Sequence, residues 1–284
     1  MIMITGASGQ LGSLVINKLI ANGAKPDMIV AIVRNLATSS HLSELGVNVR
    51  VADYNEPESL ENALGGVTRV LLVSSSEVGQ RTEQHKNVIN AAKKANVELL
   101  AYTSILHADT SPLSLAKEHR ETETALAESG IPYVLLRNGW YSENYTISAA
   151  SSIEHGVVLG CAKNGKLSTA SRADYAEAAA RIINAENQAG KVYELAGDES
   201  FTLEEYARYL SEASGAQVTY NDLSESEFSE ALTVLGLPSS LAKVLADSDV
   251  GASQNGLFDD SKTLSSLIGR PTETIQENIL KSLS

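Results

Sequence analysis

Three glycines at a spacing of three, Gly6, Gly9 and Gly12, join an apolar run, Met1 to Thr5, to a stretch with helical periodicity, Gln10 to Asn22. In that second stretch Leu11, Leu14, Val15, Leu19 and Ile20 recur on one helical face. Few folds need a strand, a glycine turn and a helix in that order. Gly6 permits the sharp turn, Gly9 leaves the backbone open to a closely approaching group, and Gly12 lets the helix lie tightly on the sheet. The free N–H groups at the helix start and the positive end of its dipole then favour a phosphate over the turn. Gly6, Ala7, Ser8, Gly9, Gln10, Leu11 and Gly12 are therefore expected to cradle the pyrophosphate of a dinucleotide.

The alternation continues. Apolar runs follow at Met28–Val33, Val47–Ala52, Arg69–Val73, Leu99–Thr103 and Tyr133–Leu136, with helical patterns at Glu83–Ala95 and Lys117–Ser129. Strands that are continuously apolar and separated by helices imply a parallel sheet covered on both faces. The expected fold is α/β, a Rossmann-type doubly wound parallel sheet with a smaller mixed C-terminal substrate lobe. After Tyr145 the rhythm changes, with strands expected at Val157–Leu159 and Lys191–Leu195 and helices at Arg172–Asn184, Leu203–Ser214 and Ser224–Leu235. This places a nucleotide-binding domain at 1–145 and a lobe at 146–284 that partly returns to it, with the cleft between them as the default ligand site.

Composition excludes several classes. A net charge of −13 disfavours nucleic acid or an anionic membrane as partner, and any anionic ligand needs a local positive site. The one cysteine, Cys161, forms no internal disulfide and reads as an apolar filler. His107 and His119 lack spaced ligand partners, so no metal is expected. No apolar run approaches a membrane span, and the N-terminus lacks the basic region and cleavage site of a secretory leader, so a cytoplasmic location is expected.

The second apolar run ends in Arg34-Asn35 rather than in the acidic residue that receives the ribose hydroxyls of NAD. A guanidinium there suits a 2′-phosphate, which points to NADPH. Asp53, after the third run, is the expected partner of the adenine amino group; the alternative is a turn-forming aspartate beside Tyr54-Asn55.

Several blocks are similar to the NmrA-like branch of atypical short-chain dehydrogenase/reductases. They are Ile4-Thr-Gly-Ala-Ser-Gly-Gln-Leu-Gly12, Val30-Ala-Ile-Val-Arg-Asn35, Ser74-Ser-Ser-Glu-Val-Gly-Gln-Arg81, Leu136-Arg-Asn-Gly-Trp-Tyr-Ser-Glu-Asn-Tyr145, Asp247-Ser-Asp-Val-Gly-Ala-Ser253 and Gly256-Leu-Phe-Asp-Asp260. The last four, spread to the end of the chain, resemble the bacterial type 2 NAD(P)H:quinone oxidoreductases and, less closely, triphenylmethane reductase. The resemblance implies flavin-free reduction of a quinone by NADPH. It implies that Ser74, Ser75 and Ser76 flank the ribose and adenine side. Thr103 and Ser104 would lie near the nicotinamide ribose. Asn138, Gly139, Trp140, Tyr141, Ser142 and Glu143 would wrap the nicotinamide, and Arg172 would reach the cofactor; a helix cap or an ion pair is the alternative for Arg172. The chain is compatible with a homodimer.

Ordinary short-chain enzymes pair a serine with Tyr-x-x-x-Lys. Here Lys117 stands at a plausible lysine position after Ser104, but Leu113 occupies the place of the tyrosine. Alcohol–ketone chemistry with a tyrosine acid is thus disfavoured. A quinone needs less help, since its hydroquinone anion is far less basic than an alkoxide and positioning supplies much of the rate. Asn138 and Lys117 are the candidate catalytic residues. Trp140, Tyr141, Tyr145 and, as an outer wall, Phe258 are the candidate quinone contacts; packing between lobes is the alternative for the aromatic rings. Two other functions fit the same residues: an NADP(H)-binding redox sensor without turnover, and a reductase of another conjugated acceptor such as a triphenylmethane dye.

Overall fold

The computed structural model describes residues 1–284, apart from the side chain of Thr38. In chain order the elements are β1 (Ile2–Ile4), α1 (Gln10–Ala21), β2 (Ile29–Val33), α2 (Ser40–Glu44), β3 (Asn48–Val51), α3 (Pro57–Ala63), β4 (Arg69–Leu72), α4 (Arg81–Lys94), β5 (Leu99–Ile105), α5 (Ala116–Ser129) and β6 (Tyr133–Asn138). There follow α6 (Glu143–Thr146), α7 (Ala149–His155), β7 (Val157–Gly160), α8 (Arg172–Asn184), β8 (Val192–Leu195), α9 (Leu203–Ser214), β9 (Thr219–Asp222), α10 (Glu225–Val234), α11 (Ser239–Ser253), α12 (Thr263–Ile268) and α13 (Ile275–Leu283).

Seven strands form one sheet in the order β3-β2-β1-β4-β5-β6-β8. Ile4 is in register with Ala31 on one side and Leu71 on the other, and Thr103 with Leu136, all parallel. The order reverses at β1, where open α/β sheets bind ligands beyond the strand C-termini. The inner strands are largely apolar because both faces are covered: every residue of β2 and of β5 is buried, whereas the edge strands β3 and β8 are partly exposed. The expected Rossmann-type doubly wound sheet is thus present, and so is a smaller mixed α/β unit.

The chain forms two compact units, each built from separated segments. The first comprises Met1–Ile105, Glu118–Asn138 and Arg172–Tyr193. Its core includes Met3, Val30, Ile32, Val70, Leu72, Val88, Leu100, Tyr102, Leu126 and Leu135. Helix α8 carries Ala176, Ala178, Ala179 and Ala180, small side chains that let it lie close to α1. The contact is fastened by Glu177, whose carboxylate takes Lys18 Nζ at 3.4 Å and Asn22 Nδ2 at 3.2 Å.

The second unit comprises Leu106–Lys117, Gly139–Ser171 and Glu194–Ser284. It contains the parallel pair β7-β9 and helices α6, α7 and α9 to α13. Cys161 packs there with Phe228 and Ala246, the apolar filler expected of it. Among the described residues no helix is long and apolar enough to cross a membrane, and no group of acidic, histidine or cysteine side chains could hold a metal.

Candidate functional site

The glycine turn has the geometry its spacing requires. Gly6 has φ +56°, where a side chain is strained, and Gly9 N–H donates to Gly6 O at 3.0 Å. A Cβ on Gly12 would lie 2.9 Å from Gly6 C and 3.0 Å from Ala7 Cα, so only glycine lets α1 start this close to the turn. Helix α1 has no side-chain cap and no acid in its first turn. Its first N–H groups have no intrahelical carbonyl, and the ladder begins at Ser13 N–H on Gly9 O, 3.0 Å. Gly6, Ser8, Gly9 and Gln10 are exposed, whereas Ala7, Leu11 and Gly12 are buried. An exposed, uncapped helix start over a glycine turn fits an anionic group.

At the end of β2, Arg34 is 70% exposed and pairs with Glu77, Nη1 to Oε1 at 3.1 Å. Asp53 forms the local turn that was the alternative for it: one carboxylate oxygen accepts Asn55 N–H at 2.8 Å. Tyr54 ties β1 to β4, its hydroxyl 2.5 Å from Thr5 Oγ1 and 2.8 Å from Val73 O. Burial pushes the Tyr54 phenol up, so it stays protonated.

The segment after β4 is pinned from below. Ser74 N–H donates to Thr103 Oγ1 at 2.8 Å, so the buried Thr103 hydroxyl is an internal tie. Ser75 N–H donates to His85 Nε2 at 2.9 Å, and Arg81 Nε donates to Ser75 O at 2.7 Å. The second nitrogen of His85 then donates to Thr122 Oγ1, 3.0 Å away. Arg81 Nη1 lies 3.3 Å from His119 Nε2, and His119 Nδ1 lies 2.7 Å from the Tyr102 hydroxyl. Both imidazoles are held neutral: burial first, then the Arg81 charge, lowers the His85 pKa to about 3 and takes His119 well below its usual value. His119 is thus a positioning residue in the first unit.

Ser104, the serine an ordinary short-chain enzyme would use, donates instead to Glu123 Oε1 at 2.6 Å. The same carboxylate receives Arg137, Nη2 to Oε2 at 2.8 Å, with both side chains nearly buried. Lys117 is exposed at the start of α5. Leu113 is core: a Cβ on Gly251 or Gly256 would stand 2.6 Å or 2.8 Å from its Cδ1, so two glycines make room for it.

Asn138, the last residue of β6, is 7% exposed, and its Oδ1 accepts from no protein donor. A buried acceptor without a donor fits a ligand N–H or O–H.

In the second unit, residues 139–142 lie along 168–170. Gly139 N–H donates to Leu195 O at 2.7 Å, Ala170 N–H to Trp140 O at 3.3 Å, and Tyr141 bridges Ala170. Ser142 is spent internally, N–H on Ala170 O at 2.9 Å and Oγ 2.9 Å from Thr169 Oγ1. Ser168 then meets Leu257 O and Asp259 N, which brings the Phe258 segment to the next row. Phe258 lies under Lys166 Nζ, 5.6 Å from the ring centre. Trp140, Tyr141 and Phe258 thus sit on successive neighbouring segments, and Glu143 opens α6. Tyr145 stacks in an aromatic group, 6.1 Å from Phe201 and 5.8 Å from Tyr206, whose hydroxyl donates to Tyr145 O at 3.0 Å. Arg172 opens α8 in the first unit.

Residue-level reasoning on the sequence missed Glu77, Gln84, His85, Glu123 and Arg137. Glu77, Arg81 and Arg137 stood within the family-like blocks without a role. Their roles depend on partners up to 43 positions away, and no local pattern marks them.

Comparison with known proteins accords with this geometry. Residues 6–186 match the NAD(P)H-binding family. The chain is 60% identical to quinone oxidoreductase 2 of Escherichia coli over 98% of this chain and 97% of that protein. It superposes on the crystal structure of the E. coli NADPH-dependent quinone oxidoreductase complexed with NADPH with a TM-score of 0.98, at 59% identity and full coverage of both chains. The Citrobacter sp. triphenylmethane reductase complexed with NADP(H) gives a TM-score of 0.95 at 35% identity, covering 99% of this chain and 100% of the other. A glycine turn that opens an uncapped helix at the sheet's reversal point, carried on a chain alike from end to end to these reductases, makes this protein a member of the NAD(P)H-binding family.

Proposed function

We propose that the protein is an NADPH-dependent quinone oxidoreductase that transfers hydride to a quinone without a flavin. Likeness to E. coli quinone oxidoreductase 2 across 98% of the chain carries this reading. The exposed, uncapped start of α1 and the orphaned Asn138 Oδ1 support a bound dinucleotide.

In this reading the Gly6–Gly12 turn holds the pyrophosphate and Arg34 the 2′-phosphate. Asp53, one carboxylate oxygen closing its own turn, turns the other toward the adenine amino group, and Ser74, Ser75 and Ser76 flank the adenosine side on a segment that His85 and Arg81 keep rigid. Arg172 completes the cofactor contacts, and Thr103, whose hydroxyl takes Ser74 N–H, holds the serine segment in place. Asn138 accepts from the nicotinamide end, with Gly139, Trp140, Tyr141, Ser142 and Glu143 continuing that wall. Bound NADPH supplies the hydride. The chain's own part is orientation and exclusion of water: Trp140, Tyr141 and Phe258 offer flat apolar faces to a planar acceptor, Tyr145 packs on Phe201 and Tyr206 in support, and Asn138 holds the nicotinamide. Proton delivery to the hydroquinone falls to a hydroxyl, amide or water, with Lys117 as the cationic candidate. A cytoplasmic location goes with this soluble chemistry.

Stopped-flow oxidation of NADPH against a panel of benzoquinones and naphthoquinones, with flavin content measured on the same sample, tests the reading. Turnover without flavin is expected. NADPH binding without turnover would identify a sensor instead. Likeness to the Citrobacter reductase favours a second acceptor class, triphenylmethane dyes, at lower kcat/KM than quinones; the reverse order would reassign the substrate.

A further inference from the structure

Arg34 is the guanidinium assigned above to the 2′-phosphate, yet it already has a carboxylate, Glu77 Oε1, at 3.1 Å. With the two side chains 70% and 37% exposed, the pair adds little to stability, so stability does not account for it. Nor is Glu77 a wandering surface acid. Its Oε2 accepts from Gln84 Nε2 at 2.8 Å, and Gln84 is 2% exposed. Its own N–H donates to Ser75 Oγ at 3.1 Å. Ser75 in turn is fixed through N–H by His85 and through C=O by Arg81, both buried. Arg81, Gln84 and His85 all lie at the start of α4, so a helix holds this carboxylate beside Arg34.

We infer that Glu77 is a specificity-determining residue: it competes with the 2′-phosphate for Arg34 and so narrows the preference for NADPH over NADH. The inference rests on the reading of Arg34 as the 2′-phosphate ligand. Phosphate and carboxylate claim the same N–H donors, and Arg34 cannot serve both at full strength. The Gln84 bond and the pinned Ser75 keep the carboxylate from retiring, so the competition for Arg34 persists when a 2′-phosphate arrives. A 2′-hydroxyl makes no such demand. It is a hydrogen-bond donor, and a carboxylate is a suitable acceptor for it.

Calorimetric titration of 2′,5′-ADP and 5′-AMP reads this without any turnover. The proteins are wild type, Glu77→Gln, Arg34→Ala and the double variant. Glu77→Gln is expected to bind 2′,5′-ADP about threefold to fivefold tighter, the size of an exposed ion pair. Its affinity for 5′-AMP should stay within about twofold, a change no larger than a few tenths of a kcal/mol in scale. In the Arg34→Ala background the gain should vanish. Should Glu77→Gln melt below wild type, Glu77→Ala repeats the test, with the same direction expected. Unchanged or weaker 2′,5′-ADP binding in both Glu77 variants overturns the inference. So does a gain that persists in full without Arg34, which would mean that Glu77 acts on the phosphate and not through the arginine. Arg34→Ala that leaves 2′,5′-ADP affinity intact overturns the assignment of Arg34 itself, a result distinct from either.

Discussion

Alanine at Gly12 should damage fold and site together, whereas alanine at Gly9 should damage the site alone. At Gly12 the new Cβ meets Gly6 C at 2.9 Å and Ala7 Cα at 3.0 Å, with Gly6 O closer still. All three atoms are backbone of the turn, so no rotamer relieves the clash; α1 must lift or the turn must move. Overpacking of this kind costs about 1–3 kcal/mol. For a chain of 284 residues each kcal/mol lowers Tm by about 2–4 °C, so a drop of about 2–12 °C is expected. At Gly9 the backbone, φ −80° and ψ 167°, suits any residue. Its Cβ touches only Gly6 O, at 3.2 Å. Tm should fall by no more than about 2 °C, less than one kcal/mol on the same scale. NADPH affinity should nevertheless fall at least about tenfold, because the methyl stands on the exposed side of the turn where the pyrophosphate approaches. Thermal melts and NADPH fluorescence titrations on the two variants are the assay. A Gly12→Ala protein with wild-type Tm and affinity would refute the steric argument. A Gly9→Ala protein with normal affinity would show that this turn holds no phosphate.

Arg34→Ala should weaken NADPH binding about tenfold, or about 1.4 kcal/mol, and leave NADH within about twofold; equal losses for both cofactors would exclude Arg34 as the 2′-phosphate ligand. Stability should fall as the pH drops from the histidine range toward 3. His85 is neutral in the fold, with a pKa lowered to about 3, but takes a proton at its ordinary value when unfolded. Its contribution is therefore complete above about pH 6.5 and is lost below it at about 1.4 kcal/mol per pH unit, with His119 adding in the same direction. Asp249, raised to about 6 by burial, opposes this below pH 6 but offsets only one of the two histidines. A melting temperature that rises on acidification from pH 6.5 to 4.5 would contradict the network around Ser75. Tyr145→Ala should lower Tm through loss of its contacts with Phe201 and Tyr206, whereas Tyr141→Ala should lower kcat/KM for quinone more than NADPH affinity; the opposite pattern would exchange their roles.

Most of the sheet was legible because its strands are buried on both sides and so are written as unbroken apolar runs. Ile29–Val33 and Leu99–Ile105 are the clearest cases. Helices α1, α4, α5, α8 and α9 were legible for the complementary reason, an apolar stripe long enough to show its period. Helices α2 and α3 have 5 and 7 residues, too few turns to reveal one. Strand β9, largely exposed and polar, carries no apolar run at all. Helix α11 was masked by its own composition: Ala242, Ala246, Ser248, Gly251 and Ala252 are buried, but small residues barely register as an apolar face. The glycine turn was readable because its chemistry is local. The pinning of Ser75 was not, since His119 and Arg81 lie 38 positions apart and meet only once α4 and α5 are laid on the same sheet. Ser104 shows the same limit. The resemblance places it near the nicotinamide ribose, while its hydroxyl is bonded to Glu123, a partner 19 positions on that no local pattern marks.

The first unit closes late. Asn22, which caps α1, waits for Glu177, a partner 155 positions further on. At ribosomal speeds of about 5–20 residues per second, that separation corresponds to about 8–30 s of synthesis. In the course of this interval strands β2 to β6 are made one after another, and the helix that covers α1 follows all of them. The nascent sheet therefore presents an unfinished apolar surface to the crowded exit of the ribosome, which is the kind of surface that chaperones hold and that aggregates recruit. Truncations that end before α8 should accumulate as insoluble protein even though every strand from β1 to β6 and the whole glycine turn have been translated.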